Sequence, residues 1–492
     1  MPSDHLHGLT SKLTDEQSMA EQRRAVTETL LLRSFLSNEN NGALTAAASE
    51  VTTTLVLSAF VTACMAFGLG NLMGYSSPTQ SGIMEDMDLS LKEFSLFGST
   101  LTVGAMLGAA IGGKVTDLLG RKGTMWILNV LYIGGWFAIA FAKVPWLLDL
   151  GRLSLGSVSG ITGFLMPLYI AEITPKDLRG RISAIVPLMV CWGLSFIYLV
   201  GSFVNWRTLA LIATIPGLLQ LPLLYFVPES PRWLAKVGRE KEVEDVLLCL
   251  RGEKVDISEE ATEIKDYTES LRSVSKGSTL DVFQRTYARP LLIMAGLMAL
   301  QSLGGIGAFA FYSGAIIQSA GISSLIGLIT LAAVQTLLGL LGVMLLDKAG
   351  RRPLLLVSFA GLCFGSFLTG LSFFLKDFNW WDDGTPILAL IGLLMYMGSS
   401  VLGAGIPWLL IAEVFPVNVK GSAGSICNLI NNVFAWVISY YFNFLIQWSS
   451  AGVFFIFSAF CAANYILVAK FIPETKGKKL EEIQESVTHS LQ

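Results

Sequence analysis

Asp117-Leu-Leu-Gly-Arg-Lys122 returns 230 residues later as Asp347-Lys-Ala-Gly-Arg-Arg352. Each copy closes a long apolar run, and each holds a glycine preceded by an acid and followed by two bases. Two further pairs keep the same order along the chain. Glu172-Ile-Thr-Pro-Lys-Asp-Leu-Arg-Gly180 returns as Glu413-Val-Phe-Pro-Val-Asn-Val-Lys-Gly421, and Pro228-Glu-Ser230 returns as Pro473-Glu-Thr475. Three motifs repeated in one order mark two related halves.

Working outward from these turns, apolar runs long enough to cross a bilayer, about 20 residues each, fill most of the chain. They lie near 52–76, 94–113, 124–142, 146–171, 182–204 and 208–227, and again near 291–318, 322–346, 354–375, 386–411, 422–447 and 452–472. The fold class is therefore an all-α membrane protein with twelve transmembrane helices in two six-helix pseudo-repeats. Composition agrees: 14% of the 492 residues are charged, against about 25% in soluble domains. The expected organisation is a disordered cytoplasmic tail (1–50), with no cleavable signal peptide, and a first bundle (51–227). A cytoplasmic loop with short helices (228–289), a second bundle (290–472) and a cytoplasmic tail (473–492) complete it. The central loop reads either as a solvated linker or as amphipathic helices bracing a gate. Parallel repeats of this kind are a transporter design, with substrate between the halves near the membrane midplane.

Charge sets the expected orientation. The short loops after even-numbered spans hold ten Lys and Arg, and the loops after odd-numbered spans hold four. That bias places the even loops and both termini in the cytoplasm. The same inventory excludes several functions. All three histidines, His5, His7 and His489, lie in the tails, and the six cysteines have no metal-ligand or redox spacing. No phosphate-binding Gly-x-x-x-x-Gly-Lys-Ser/Thr loop is present. The near-neutral balance of 34 basic and 37 acidic residues leaves no nucleic-acid footprint. Neither enzyme chemistry nor a cofactor is expected.

The glycine-turn pair resembles the signature of the major facilitator superfamily. Gly151-Arg152, Glu172 to Gly180, Pro228-Glu-Ser-Pro-Arg232, Gln301 to Tyr312, Ile406-Pro-Trp408 and Pro473-Glu-Thr-Lys-Gly477 together resemble the sugar porter family. Gly74-Tyr-Ser-Ser-Pro-Thr-Gln80 and Pro231 to Glu240 are most similar to plant early-response-to-dehydration-like monosaccharide transporters. The resemblance spans about residues 52 to 485. It implies a small-molecule sugar substrate, a hexose first, carried across a lipid bilayer at the vacuolar or plasma membrane.

It also implies roles. Asp117, Arg121, Glu172, Arg179, Asp347, Arg351, Glu413 and Lys420 match groups that form cytoplasmic gating ion pairs and part when the protein opens inward. Arg152 joins this set as a charge inside an apolar span, a functional candidate by default. With Asp149 one turn earlier it reads equally as an Arg–Asp staple. Sugars are rings of hydroxyls, so their sites need neutral donors and acceptors and an aromatic face. Gln301, Gln335, Trp408 and Asn431 fall on sugar-contacting positions.

Departures from the pattern shape the expectation. Ser302 and Gly307 replace the second Gln and the Asn of the seventh span, Pro187 replaces a Gln in the fifth, and Ala435 replaces an Asn in the eleventh. Each lost amide removes a hydrogen bond worth about 1 kcal/mol, which predicts altered preference or low affinity for hexoses. Proton-coupled porters carry an acid in the first span. Here the position is Leu72, beside Asn71, so facilitated diffusion is expected. A proton symporter and a non-transporting sugar sensor are the alternatives.

Overall fold

A computed structural model describes residues 52–474 apart from 176–177, 253–254, 275–284, 382, 404 and 416. Side chains at 267, 270–286, 343, 346–348, 412–413 and 416–421 also fall outside the description. Eleven helical stretches among the described residues are long and apolar enough to span a membrane. One of them, Leu91–Ala140, holds 50 residues, about 75 Å if straight and over twice a hydrocarbon core. Gly120 (φ 78°, ψ 177°) breaks it into 91–119 and 121–140. The two arms fold back together. A Cβ at Gly104 would lie 2.4 Å from the Leu153 carbonyl, and one at Gly135 would lie 3.1 Å from the Gly151 carbonyl. Residues about equally far from Gly120 thus meet the same stretch of the next helix, and the architecture is twelve spans in two sets of six.

The first set comprises Thr53–Gly74 with Ser76–Asp86, the two arms, Pro145–Ile173, Arg179–Ser183 with Ile185–Gly201, and Trp206–Ala213 with Ile215–Phe226. The second comprises Arg285–Leu303 with Ile306–Ser319, Ser324–Ala349, Arg351–Asp377, Thr385–Gly403 with Ile406–Val414, Val417–Trp448 and Ser450–Phe471. Between them lie Pro231–Val237, Glu240–Arg251 and Ser258–Val274. These three share a small apolar core of Trp233, Leu234, Val243, Leu247 and Ile264, which explains their amphipathic pattern.

In lipid there is little hydrophobic drive between helices, so close backbone approach matters. Gly104 and Gly108 of the second span interleave with Gly156 and Gly160 of the fourth. A Cβ at any of the four would fall 2.1–2.4 Å from a main-chain oxygen of the facing helix. The seventh span breaks at Gly304–Gly305, where Gly305 is left-handed (φ 92°) and the Phe457 ring fills the space of its absent side chain. The break frees a carbonyl, and the Tyr396 hydroxyl donates to Gly304 O at 2.6 Å, as a buried backbone group requires.

Candidate functional site

At the turn after the second span, Gly120 leaves room for a carboxylate. Glu229 Oε2 sits 2.3 Å from where a Cβ would be. Its carboxylate accepts from the backbone N–H groups of Arg121 (2.8 Å), Lys122 (3.1 Å) and Ser230 (2.8 Å). It therefore caps the positive N-terminus of the third span. The Lys122 ammonium donates to Tyr225 O at 2.9 Å, near the end of the sixth span. The second half repeats the construction. Glu474 accepts from Arg351 N (3.0 Å) and Arg352 N (3.1 Å) beside Gly350 (φ 87°), and the Arg352 guanidinium donates to Ala469 O at 2.7 Å. Burial pushes the Glu229 carboxyl above its ordinary range, although the three N–H donors and Arg121 pull the other way.

Around the first turn, Arg121 grips Glu172 with two parallel bonds of 2.8 Å, both side chains under 10% exposed. Asp117 lies 3.9 Å from Arg121 and pairs at 2.8 Å with Lys236 of the helix Pro231–Val237. Its main-chain oxygen accepts from Trp233 Nε1 at 2.9 Å. Arg179 joins none of the ion pairs among the described residues. The surface helices are tied to the same place. Arg251, 5% exposed, donates to Ile173 O at 2.7 Å and grips Glu260 at 2.7 and 2.9 Å. In the second half the side chains of Asp347, Glu413 and Lys420 lie outside the described residues. Arg351 is described through its backbone bond to Glu474.

Arg152 departs from the expected ion pair. It is fully buried, and among the described residues it makes no salt bridge. Its guanidinium donates to Leu72 O at 2.9 Å and to the Ser76 hydroxyl, and stacks 4.5 Å from the Phe97 ring centroid and 5.2 Å from that of Tyr75. The Asp149 staple is not formed. The reason is local: the helix is interrupted between Thr53–Gly74 and Ser76–Asp86, and the Leu72 carbonyl just before the interruption is open to an Arg fork. Tyr75 in turn donates to Trp206 O at 2.7 Å. Ser77, just beyond, accepts from Gly314 N of the opposite half at 2.9 Å. Asn443 donates to Ser95 (2.9 Å), and Tyr198 donates to Ala310 O, also across the halves.

The four sugar-position residues are distributed as follows. Gln301 precedes the break of the seventh span, and its Oε1 is buried without a partner. Beside it, Ser302 donates to Asn431 through the side-chain oxygen (2.8 Å) and the main-chain oxygen (3.0 Å). The residue that replaces a family Gln therefore occupies the acceptor of Asn431. Gln335 is fully buried with both amide atoms unpaired. Its main-chain oxygen lies 3.1 Å from Cys191 Sγ on the fifth span, one turn after Pro187. Trp408 is 41% exposed at the start of the second piece of the tenth span. Gln301 and Asn431 are linked through Ser302. The Gln335 main-chain oxygen meets the other half, and among the described residues no hydrogen bond joins Trp408 to the rest.

Sequence reasoning passed over the buried amides Asn129, Gln220, Asn443 and Asn464, all under 5% exposed. A scan of every span for Asn and Gln would have found them. Among the described residues no group of three or more His, Cys, Asp or Glu is placed to hold a metal ion.

Comparison with known proteins fits this geometry. Residues 29–487 match the family model described as "Sugar (and other) transporter". The sugar transporter ERD6-like 15 of Arabidopsis thaliana is 49% identical over 94% of this chain and 98% of its own. Sugar transporter ESL1 of the same plant is 43% identical over 96% and 100%. The inward-open xylose transporter XylE from E. coli superposes with a TM-score of 0.72 at 23% identity, over 87% of this chain and 98% of its own. The motifs, the duplicated glycine turns and these likenesses converge: the chain belongs to the sugar transporter family.

Proposed function

We propose that the protein moves a monosaccharide across a membrane by alternating access, as facilitated diffusion down the sugar's own gradient. The observation that carries the uniport reading is the setting of Arg152. At the first-span position where proton-coupled porters carry an acid stands Leu72, whose backbone carbonyl accepts from Arg152 and takes up no proton at physiological pH. The guanidinium faces the rings of Phe97 and Tyr75, and among the described residues no carboxylate forms a salt bridge with it. The turns at Gly120 and Gly350 are assigned to the cytoplasmic face, with both termini, in a vacuolar or plasma membrane. The domain plan keeps 51–227 and 290–472 as the rocking bundles and 228–289 as the brace between them.

In this reading Gln301, Gln335, Trp408 and Asn431 contact the sugar. Asp117, Arg121, Glu172, Arg179, Asp347, Arg351, Glu413 and Lys420 work as the gate. Arg152 holds the first span rather than pairing across the gate. The engagement of Asn431 by Ser302, with Pro187 in place of a Gln, supports a hexose site weaker or differently aimed than the family's. That same observation favours a second reading, a sensor that binds sugar without moving it.

One experiment separates the three. Purified protein in liposomes is given labelled hexoses, pentoses and polyols, with and without an imposed pH gradient. Equilibrating uptake that ignores the gradient is the expected result. Accumulation above the external concentration, driven by protons, refutes uniport. Saturable binding without flux assigns the sensor.

A further inference from the structure

A cavity of about 20 Å³ lies inside the first bundle, between the first, third, fourth and sixth spans. It is lined by Met65, Asn129, Tyr132, Thr162 and Gln220 among others. Three of these are all but fully buried, Asn129 and Thr162 at 2% and Gln220 at 3% exposure. Each brings an unpartnered polar atom: Asn129 Oδ1, Thr162 Oγ1 and Gln220 Nε2. Polar atoms left unpaired in a membrane interior are costly, so three around one void call for an occupant.

The geometry points to a bound water molecule that joins the third, fourth and sixth spans at this site. The volume exceeds the 10–15 Å³ or so that one water needs, and three polar partners match the usual number. The role of Asn129 is fixed from outside the cavity. Asn129 Nδ2 donates to Gly217 O at 3.0 Å, which turns Oδ1 into the void as an acceptor. Gln220 presents a donor and Thr162 a hydroxyl that serves either way. Water satisfies all three at once, donating to Asn129 and accepting from Gln220. A sodium ion would meet the Gln220 N–H₂ head-on, and an apolar molecule would leave every one unpaired. Tyr132 closes one side, its hydroxyl donating to Ala213 O at 2.8 Å where the sixth span is interrupted after Ala213.

The site is independent of the transport mechanism, and its test does not read transport. Full-length protein in nanodiscs is pulsed with hydroxyl radicals generated from bound and bulk water, and oxidation is read by mass spectrometry. Met65 and Tyr132, 8% and 6% exposed, are expected to label several-fold faster than Met125, Met166 and Met298, which are 0–1% exposed and away from the cavity. Thr162→Val then removes one water partner. With water present the variant loses a satisfied group, so its melting temperature falls and labelling of Met65 and Tyr132 slows. In a dry cavity the variant deletes an unpaired hydroxyl, so its melting temperature rises. Labelling at the control rate, labelling that Thr162→Val leaves unchanged, or a rise in melting temperature each overturns the water. Stabilisation by sodium chloride over choline chloride overturns it in favour of a cation.

Discussion

Gly120→Ala tests whether the glycine turn is a built joint or merely a flexible one. The backbone there (φ 78°, ψ 177°) lies in a region open essentially to glycine alone, and forcing another residue into it costs about 1–3 kcal/mol. The added Cβ would also fall 2.3 Å from Glu229 Oε2 and 2.8 Å from its Cδ, so the carboxylate must leave its seat. That move breaks the bonds to Arg121 N and Lys122 N. Hydrogen bonds to a charged group are worth about 1.5–3 kcal/mol each, partly regained from water at this edge. The sum is roughly 3–4 kcal/mol. For a cooperative unit of about 200 residues, the size of one bundle, this lowers the melting temperature by roughly 10 °C. Gly350→Ala shares the backbone cost but meets Glu474 Oε2 less tightly, at 2.8 Å, so its loss is smaller. Gly134→Ala is the control, helical and with nothing within 4 Å of the new Cβ. Thermal unfolding of the three purified variants in one detergent is expected to rank them in that order. A Gly120→Ala protein that melts with Gly134→Ala refutes the joint, and with it the reading of Glu229 as a cap.

The other predictions concern charges. Arg152→Lys replaces a fork that spans Leu72 O and Ser76 with a point charge, and losing one charge-assisted bond slows uptake by about tenfold or more; initial rates above half of wild type contradict the role. Arg251→Ala removes the tie between Ile173 O and Glu260, which is 36% exposed and therefore partly screened. A loss of about 1–2 kcal/mol is expected to appear as faster amide exchange in Glu240–Arg251, and unchanged protection there contradicts it. Glu229 carries a pH signature. Its carboxyl is raised by burial, so its contribution to stability is full below the ordinary Glu value and is lost as pH rises through the raised one. Wild type minus Glu229→Gln stability should therefore be greater at about pH 4 than at pH 7, and a difference that grows with pH would show the N–H donors outweighing burial.

The turns and the spans were legible because they rest on local pattern. An acid, a glycine and two bases after a long apolar run can only be a tight return, and the run lengths follow from bilayer thickness. What Glu229 and Glu474 do was not legible, although their motifs were seen to repeat. A helix N-terminus offers the same N–H groups in every sequence, so nothing at Arg121 names a carboxylate 108 residues away as its cap. Arg152 shows the same limit in the membrane. Its charge stood out in an apolar run, and pairing with Asp149 was a reasonable expectation from spacing alone. Its actual partners are a backbone carbonyl, the Ser76 hydroxyl and the faces of two rings, and a carbonyl is identical at every residue.

The amides divide on different grounds. Gln301, Gln335 and Asn431 were found because a family pattern pointed at them, whereas Asn129 and Gln220 stood outside that pattern and were passed over. Gln335, Asn129 and Gln220 are buried, so each must find a partner where lipid and apolar side chains supply none, whereas Gln301 and Asn431 are half-buried. Asn431 finds Ser302, the very residue that broke the family pattern. A substitution that removed one amide from the second half thus left behind a donor for its neighbour, which shifts the balance at that point from an acceptor free for a sugar hydroxyl toward one already used. In the proposed site a sugar hydroxyl would share the Asn431 oxygen with Ser302, which takes one of its two lone pairs, or bind through the amide nitrogen. In the proposed site, substrate preference is then set by the partner of Asn431 together with Asn431 itself.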